Sequence, residues 1–217
     1  MQKGGGIAAI FCAVLIALQA GIALLGAQPF GLGGATQAVT GDVGSLFASE
    51  TLRIVLGAFL LPLVAAASAR SGARARAKRQ TNWVAVVGKV AAFLVCVSGA
   101  FSVYLLLEES APAQPVGMIA VLAQVLFGSA LFLLTLWQLL LGLNSLLNHS
   151  FPGLVSLLAI VSSVLSVISI FMPAMLVIAL GLTLIWMVSM GLTMLATPDQ
   201  IVPAGPPLQI EAPLLDD

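Results

Sequence analysis

The sequence predicts an all-α integral membrane protein, a polytopic transmembrane helix bundle of six spanning helices with the N-terminus and C-terminus in the cytosol. Three observations lead to this fold class. The chain of 217 residues is 60% hydrophobic and 7% charged, whereas soluble domains carry roughly 25% charged residues. Its apolar residues fall into six long runs, and its basic residues are concentrated on one side of them. A chain this apolar cannot cover a water-facing surface with polar groups, so its solvent is the bilayer.

Six apolar runs are long enough to cross a hydrocarbon core of roughly 30 Å, which takes about 20 helical residues. The predicted spans are 7–27, 52–69, 83–107, 116–143, 154–170 and 174–196. The first run exceeds the roughly 7–15 apolar residues of a cleavable signal peptide, so we expect it to be retained. Pro62 lies inside the second run and is predicted to kink it.

The spans organise the chain into two parts. Residues 1–196 form one transmembrane domain, and its last two spans are so close in sequence that they must be antiparallel neighbours. Residues 197–217 contain five prolines and no hydrophobic periodicity. We therefore expect this tail to be extended, disordered chain in the cytosol, either simply solvated or docked on a partner.

The basic residues predict the orientation, because cytosolic loops of membrane proteins are enriched in Lys and Arg. Six of the eight basic residues fall on the N-terminal side of the membrane, against Arg53 on the other side and Lys89 within a span. Arg53 lies three residues from Glu50, its predicted partner. This distribution predicts a multi-pass protein of the bacterial inner membrane.

Five of these basic residues occupy the loop between the second and third spans: Arg70, Arg74, Arg76, Lys78 and Arg79. The favoured interpretation is a topological anchor with incidental lipid contact. If the second helix continues, Arg70, Arg74 and Lys78 share one face, which suits anionic headgroups. Specific docking of a lipid or protein is the alternative. Nucleic acid is disfavoured, because no aromatic residues alternate with the basic ones for base stacking.

Small residues recur at every fourth position in the first and third spans, a spacing that allows helix backbones to approach closely. The two stripes are Ala9, Ala13, Ala17 and Gly21, and Gly88, Ala92, Cys96 and Ala100. They can pack within the bundle or against another protein. The sequence favours packing within the bundle.

Few polar residues lie inside the predicted spans. Lys89 can extend along the helix to the cytosolic interface, which is the favoured interpretation, or act as a cation inside the bundle. With Gln124, Ser162 and Ser166 it makes up the candidate intramembrane polar site. Hydrogen bonds between helices are the default role of these residues, and a polar pathway is the alternative. No carboxylate is predicted to be buried.

His149, in "NSLLNHSFPG", is the single histidine. One histidine cannot provide bis-histidine haem ligation, and no Cys, Asp or Glu lies nearby for a metal site. We expect a loop residue at the cytosolic interface, with ligation of one chlorophyll-type pigment as the alternative. No cofactor is predicted, whereas bound lipids are expected.

Several layout features resemble a broad bacterial family of six-helix membrane proteins that carry a domain of unknown function. These features are the Gly-rich outer loop, the basic loop and the block "LWQLLLGLNSLLNHSFPGLVSLLAIVSSVLS". The resemblance covers most of 7–196, but the chain lacks the Arg-Trp pair expected beside Pro152. It implies a six-helix fold and no activity.

The catalytic motifs H-E-x-x-H and G-x-S-x-G and a Walker loop do not occur in the sequence, which disfavours the corresponding enzyme classes. We therefore expect a non-enzymatic accessory or scaffolding subunit of a larger membrane complex. Its predicted partners are membrane lipids and other membrane-protein subunits. A small transporter or carrier of lipid or hydrophobic molecules is the alternative, and a pigment-binding subunit using His149 is the third hypothesis.

Overall fold

Six α-helices make up the regular structure that the computed structural model describes, which covers residues 2–25, 43–74, 78–107, 113–172 and 174–196. The helices are α1 (Gln2–Leu25), α2 (Val43–Arg74), α3 (Lys78–Leu107), α4 (Ala113–Asn148), α5 (Gly153–Ile168) and α6 (Met175–Ala196). The all-α fold class is therefore confirmed. The predicted tail at 197–217 and Arg76 lie outside the described residues.

Five of the helices, α1, α2, α3, α4 and α6, are long and apolar enough to cross a membrane. The chain is thus a multi-pass membrane protein. Helix α5 is apolar but has only 16 residues, about 24 Å at a rise of 1.5 Å per residue. Its predicted span, 154–170, extends two residues beyond the helix, which ends at Ile168 where a turn begins.

Each helix packs on the helices before and after it in the chain, and α1 also packs on α6. The closure between α1 and α6 depends on two glycines. A Cβ atom added to Gly6 would lie 2.9 Å from the carbonyl oxygen of Gly191, and a Cβ added to Gly191 would lie 2.9 Å from that of Gly6. The two backbones can approach this closely only without side chains.

Helix α2 passes through Pro62 without ending, and it contributes Leu60, Leu63 and Val64 to the buried core. Trp137 of α4 and Trp186 of α6 face each other across this core. Both are 1% exposed, and their rings meet edge to face with centroids 5.9 Å apart. The centre of the bundle is therefore filled by aromatic packing.

Large apolar side chains also cover the outer surface of the helices. Phe11, Phe93 and Phe132 are all exposed, although they belong to three different helices. A helix that is hydrophobic on every face is typical of a protein solvated by lipid. We call the end of the bundle with Lys3 and Arg70 the basic end, and the opposite end the Glu50 end.

Candidate functional site: two polar clusters inside the bundle

An ion pair lies inside the bundle near the start of α2. Arg53 Nη1 is 2.7 Å from Glu50 Oε2, one helical turn apart, and Glu50 is only 5% exposed. The carboxylate also accepts a hydrogen bond from Ser102 of α3. This pair and hydroxyl join α2 to α3, and we call Glu50, Arg53 and Ser102 the ion-pair cluster.

Helices α1 and α4 complete the surroundings of the ion-pair cluster. The Arg53 guanidinium lies over the Phe127 ring of α4, 3.8 Å from its centroid, a cation–π contact that is strengthened where water is excluded. On the other side, Gln19 of α1 donates to the carbonyl oxygen of Ser49 at 3.2 Å. Within the described residues, the buried Arg53 Nε has no hydrogen-bond acceptor.

The ion-pair cluster confirms one expectation and corrects another. Glu50 and Arg53 are partners, as their spacing predicted. The prediction that no carboxylate is buried is wrong, because α2 begins at Val43 and carries Glu50 into the interior. Charges lower local hydropathy, so the sequence predicted Glu50 in the outer loop and Arg53 at the start of the second span. Pairing makes the two groups neutral together and lets them enter the helix bundle.

A second polar cluster lies at the basic end, around the four residues that join α4 to α5, His149, Ser150, Phe151 and Pro152, which we call the elbow. Ser145 Oγ accepts a hydrogen bond from the Phe151 N–H at 3.0 Å and one from Ser156 Oγ at 2.7 Å. The Ser150 N–H donates to the Ser145 carbonyl at 3.3 Å. Ser145 therefore holds both the turn and the start of α5.

Arg70 ties α2 to the elbow. Its Nε donates to the Ser150 carbonyl oxygen at 2.8 Å, and its guanidinium lies 4.8 Å from the centroid of the Phe151 ring. The residue is 7% exposed, whereas the sequence predicted an exposed, headgroup-facing side chain. The side chains of Arg74, Lys78 and Arg79 lie outside the described part of the chain, so their role as a topological anchor stays a prediction.

The predicted intramembrane polar site does not come together as one site. Ser162 accepts a short hydrogen bond from Gln138 Nε2 of α4, and Ser166 Oγ donates to the Ser162 carbonyl of its own helix. Lys89 is exposed on the surface of α3, and Gln124 is half-buried on α4. Gln138, rather than Lys89 or Gln124, is the α4 partner of Ser162. Because Gln138 and Ser145 are seven residues apart, both lie on the side of α4 that faces α5.

The small-residue stripes are largely used inside the bundle. Ala13, Gly88 and Ala92 are buried, and the half-buried Cys96 packs against Gly57 and donates from Sγ to the Ile54 carbonyl at 3.4 Å. Towards the end of the first stripe Ala17 is exposed, and among the residues that the structure describes a Cβ at Gly21 would meet no atom within 4 Å. Packing within the chain therefore accounts for most of both patterns.

His149 is an exposed residue of the elbow, in the left-handed backbone region with φ of 50°. It follows the last residue of α4, the position where helices often end in this conformation, usually with Gly. No group of three His, Cys, Asp or Glu residues that could hold a metal ion occurs among the described residues. The backbone conformation gives His149 a structural role as the residue that ends α4.

A small cavity, about 10 Å³, lies between the elbow and Trp186, and its other lining residues include Ser145, Phe151, Ser156 and Met190. This is room for roughly one water molecule. Chemically, both clusters offer hydrogen-bond donors and acceptors that hold helices together.

No family model, curated protein or solved structure matches the chain. The resemblance to the bacterial six-helix family therefore stays a prediction.

Proposed function

We propose that the chain is a six-span protein of the bacterial inner membrane that acts without catalysis, as an accessory or scaffolding subunit of a larger membrane complex. In this proposal α5 is the sixth span, and both termini lie in the cytosol with the basic end. The bundle then acts as a rigid body whose outer surface contacts the other subunits.

The observation that supports a scaffolding role is that two arginines of α2, the largely enclosed Arg53 and the buried Arg70, hold parts of the bundle together from within. Arg53 joins Glu50 and Phe127 at one end, and Arg70 joins the elbow at the other. Arg53 thus connects α2 to α4 near one end of the bundle, and Arg70 connects α2 to the elbow between α4 and α5 near the other. Such interior bonds fix the positions of helices relative to one another, which is what a docking platform requires.

The placement of the basic residues supports the proposed orientation. Gly5 of α1 packs directly against Ala66 of α2, so Lys3 and Arg70 belong to the same end of the bundle. The sequence places the remaining basic residues of the loop immediately after Arg70. An excess of Lys and Arg at one end is typical of the cytosolic side.

Measuring the mass of the protein after gentle extraction tests the scaffolding role. The protein is tagged in its native host, extracted into nanodiscs with native lipids, and weighed by native mass spectrometry. We expect an assembly heavier than the 22.2 kDa chain, with at least one other membrane protein in stoichiometric amount. A stable lone monomer would overturn the proposal.

The exposed faces of α3 and α4 provide a matched pair of variants to locate the contact. Phe93 of α3 and Phe132 of α4 are each 61% exposed, so Phe93→Ala and Phe132→Ala remove the same side chain from two helices. Lipid replaces either ring without cost to the fold. If the subunit docks through one of these helices, one variant loses the partner and the other retains it.

A carrier of lipid or hydrophobic molecules is the second candidate, and the ion-pair cluster favours it. Ionisable residues inside a membrane are expensive and often mark transport pathways. In this candidate Glu50 and Arg53 replace Lys89 as the central residues, because Lys89 is exposed on α3.

Exchange of a fluorescent phospholipid between the leaflets of proteoliposomes tests the carrier function. We expect Glu50→Gln to stop the exchange and Lys89→Met to leave it unchanged. Proteoliposomes that exchange lipid no faster than protein-free vesicles would exclude this candidate. Loss of exchange in Lys89→Met alone would assign the pathway to the surface of α3 instead.

A further inference from the structure

The elbow and the helix ends beside it have their polarity inverted relative to a water-exposed turn. Four polar side chains of this region are buried and five leucines are exposed, while His149 is exposed and Asn148 half-buried. The buried polar residues are Asn144, Ser145, Ser150 and Ser156, and the exposed leucines are Leu143, Leu146, Leu147, Leu154 and Leu157. Leu147 is 78% exposed and Leu154 69%. In water this arrangement would expose apolar surface and bury polar groups, the reverse of a stable folded surface.

Four backbone groups of the elbow are hydrogen-bonded within the protein: the N–H groups of Ser150 and Phe151 and the carbonyls of Ser150 and Pro152. Non-helical backbone at membrane depth is tolerated only where the protein satisfies its polar groups. Here Ser145 accepts from the N–H groups of Ser150 and Phe151, and Arg70 donates to the Ser150 carbonyl. The Ser156 N–H donates to the Pro152 carbonyl. The chain itself thus provides partners that water would supply at a surface loop.

The depth of the elbow follows from the helices around it. Phe151 and Met190 line the same small cavity, so the elbow packs beside Met190 of α6. Met190 lies six residues before Ala196, the end of α6, which is about 9 Å at the helical rise. Helix α5 begins at this recess and has only 16 residues.

We propose that the elbow is embedded in the membrane and that its exposed leucines bind the acyl chains of phospholipids in the leaflet at the basic end. The recess below the ends of α2 and α6 gives those chains a place beside α4 and α5. This inference is independent of the scaffolding and carrier proposals, because it concerns only where the elbow lies.

Spin labels placed at two exposed positions of the same end test the depth. In a Cys12→Ala/Cys96→Ala background, Leu147→Cys carries the label on the elbow side, and Lys3→Cys carries it on an exposed residue of α1. The purified protein is studied alone in nanodiscs of one phospholipid. We expect the label at 147 to collide mainly with oxygen, which dissolves in hydrocarbon, and the label at 3 to collide mainly with a water-soluble nickel chelate.

Thiol labelling gives a second measurement on the same variants. A water-soluble maleimide should modify Leu147→Cys roughly tenfold or more slowly than Lys3→Cys, because the reactive thiolate does not form in hydrocarbon. Both should react equally after denaturation in detergent. Equal labelling before denaturation, with nickel access at 147, places the elbow in water and overturns the proposal. If neither oxygen nor the nickel chelate reaches the label at 147, protein covers this position, and that result also overturns the proposal.

Discussion

Arg70 Nε donates a hydrogen bond to the carbonyl oxygen of Ser150, 2.8 Å away and 80 residues later in the chain. The bond ties the end of α2 to the turn between α4 and α5. The carbonyl of a tight turn cannot be satisfied by a helix, and a guanidinium is a strong donor to it. Arg70 therefore stabilises the contact between α2 and the elbow, a role that the sequence of the basic loop does not predict.

Two substitutions of Arg70 distinguish the contribution of this hydrogen bond from the contribution of the positive charge. Arg70→Ala should lower the free energy of unfolding by about 1.5–3 kcal/mol, the usual contribution of a hydrogen bond to a charged group. Arg70→Lys keeps the charge but loses the planar guanidinium, so we expect it to be destabilised as well. Thermal unfolding in one detergent measures both, with Lys3→Ala as the exposed control. A Lys variant with the Tm of the wild type would show that charge alone matters.

Two glycines of the small-residue stripes should respond oppositely to alanine. A Cβ at Gly88 would lie 2.7 Å from Trp137 and from Val64, whereas a Cβ at Gly21 would meet none of the described residues within 4 Å. Gly88→Ala should therefore destabilise the bundle by about 1–3 kcal/mol through overpacking. Gly21→Ala should be neutral or stabilise α1 by up to about 1 kcal/mol, because Ala favours helix. Equal effects on Tm would contradict the close packing of α3 on α4.

The Glu50–Arg53 pair should behave as a coupled unit. Removing one partner leaves a buried charge, so Glu50→Gln or Arg53→Gln should each cost about 3–5 kcal/mol. The double variant leaves no charge and should cost much less than the sum of the two. A double-mutant cycle by thermal or chemical unfolding measures this difference. Additive losses would show that the two side chains do not interact in the membrane.

His149→Gly should maintain or raise stability, by up to about 1–2 kcal/mol, because Gly adopts the left-handed conformation without the Cβ clash. The same variant tests the pigment hypothesis. If the purified wild type has no absorption in the visible range, His149 ligates no pigment. A coloured wild type that becomes colourless on substitution would support ligation against the structural role.

Much of the fold follows from hydropathy alone. Residues 83–107 are predicted as a span and lie within α3, because an unbroken apolar run in lipid can satisfy its backbone only as a helix. The start of α2 was harder to predict. Charged residues at 50 and 53 lower the local hydropathy, so the predicted span begins at 52, whereas the helix begins at Val43. Their burial depends on a hydroxyl and an aromatic ring from two other helices.

The polar residues of α4 and α5 show the same limit. Ser162 was a candidate because it is polar within an apolar helix, but its partner Gln138 is 24 residues away and is identified only by the packing of α4 on α5. Lys89, the most conspicuous candidate, is exposed, and a lysine stem can lie along an apolar surface while its charge reaches the membrane interface.

By itself the sequence determined the solvent of this protein, its all-α class and its long apolar helices, because these depend on the composition of each segment. Only the tertiary structure decided which charges are internal. Arg70 is buried and Arg53 is largely enclosed, with its side chain 15% exposed, whereas Lys89 is exposed, and no local pattern distinguishes them. In a lipid-solvated bundle both faces of a helix are apolar, so periodicity does not mark the inner face. Which charged residue lies inside depends on the residues, distant in sequence, that provide its hydrogen-bond and ion-pair partners.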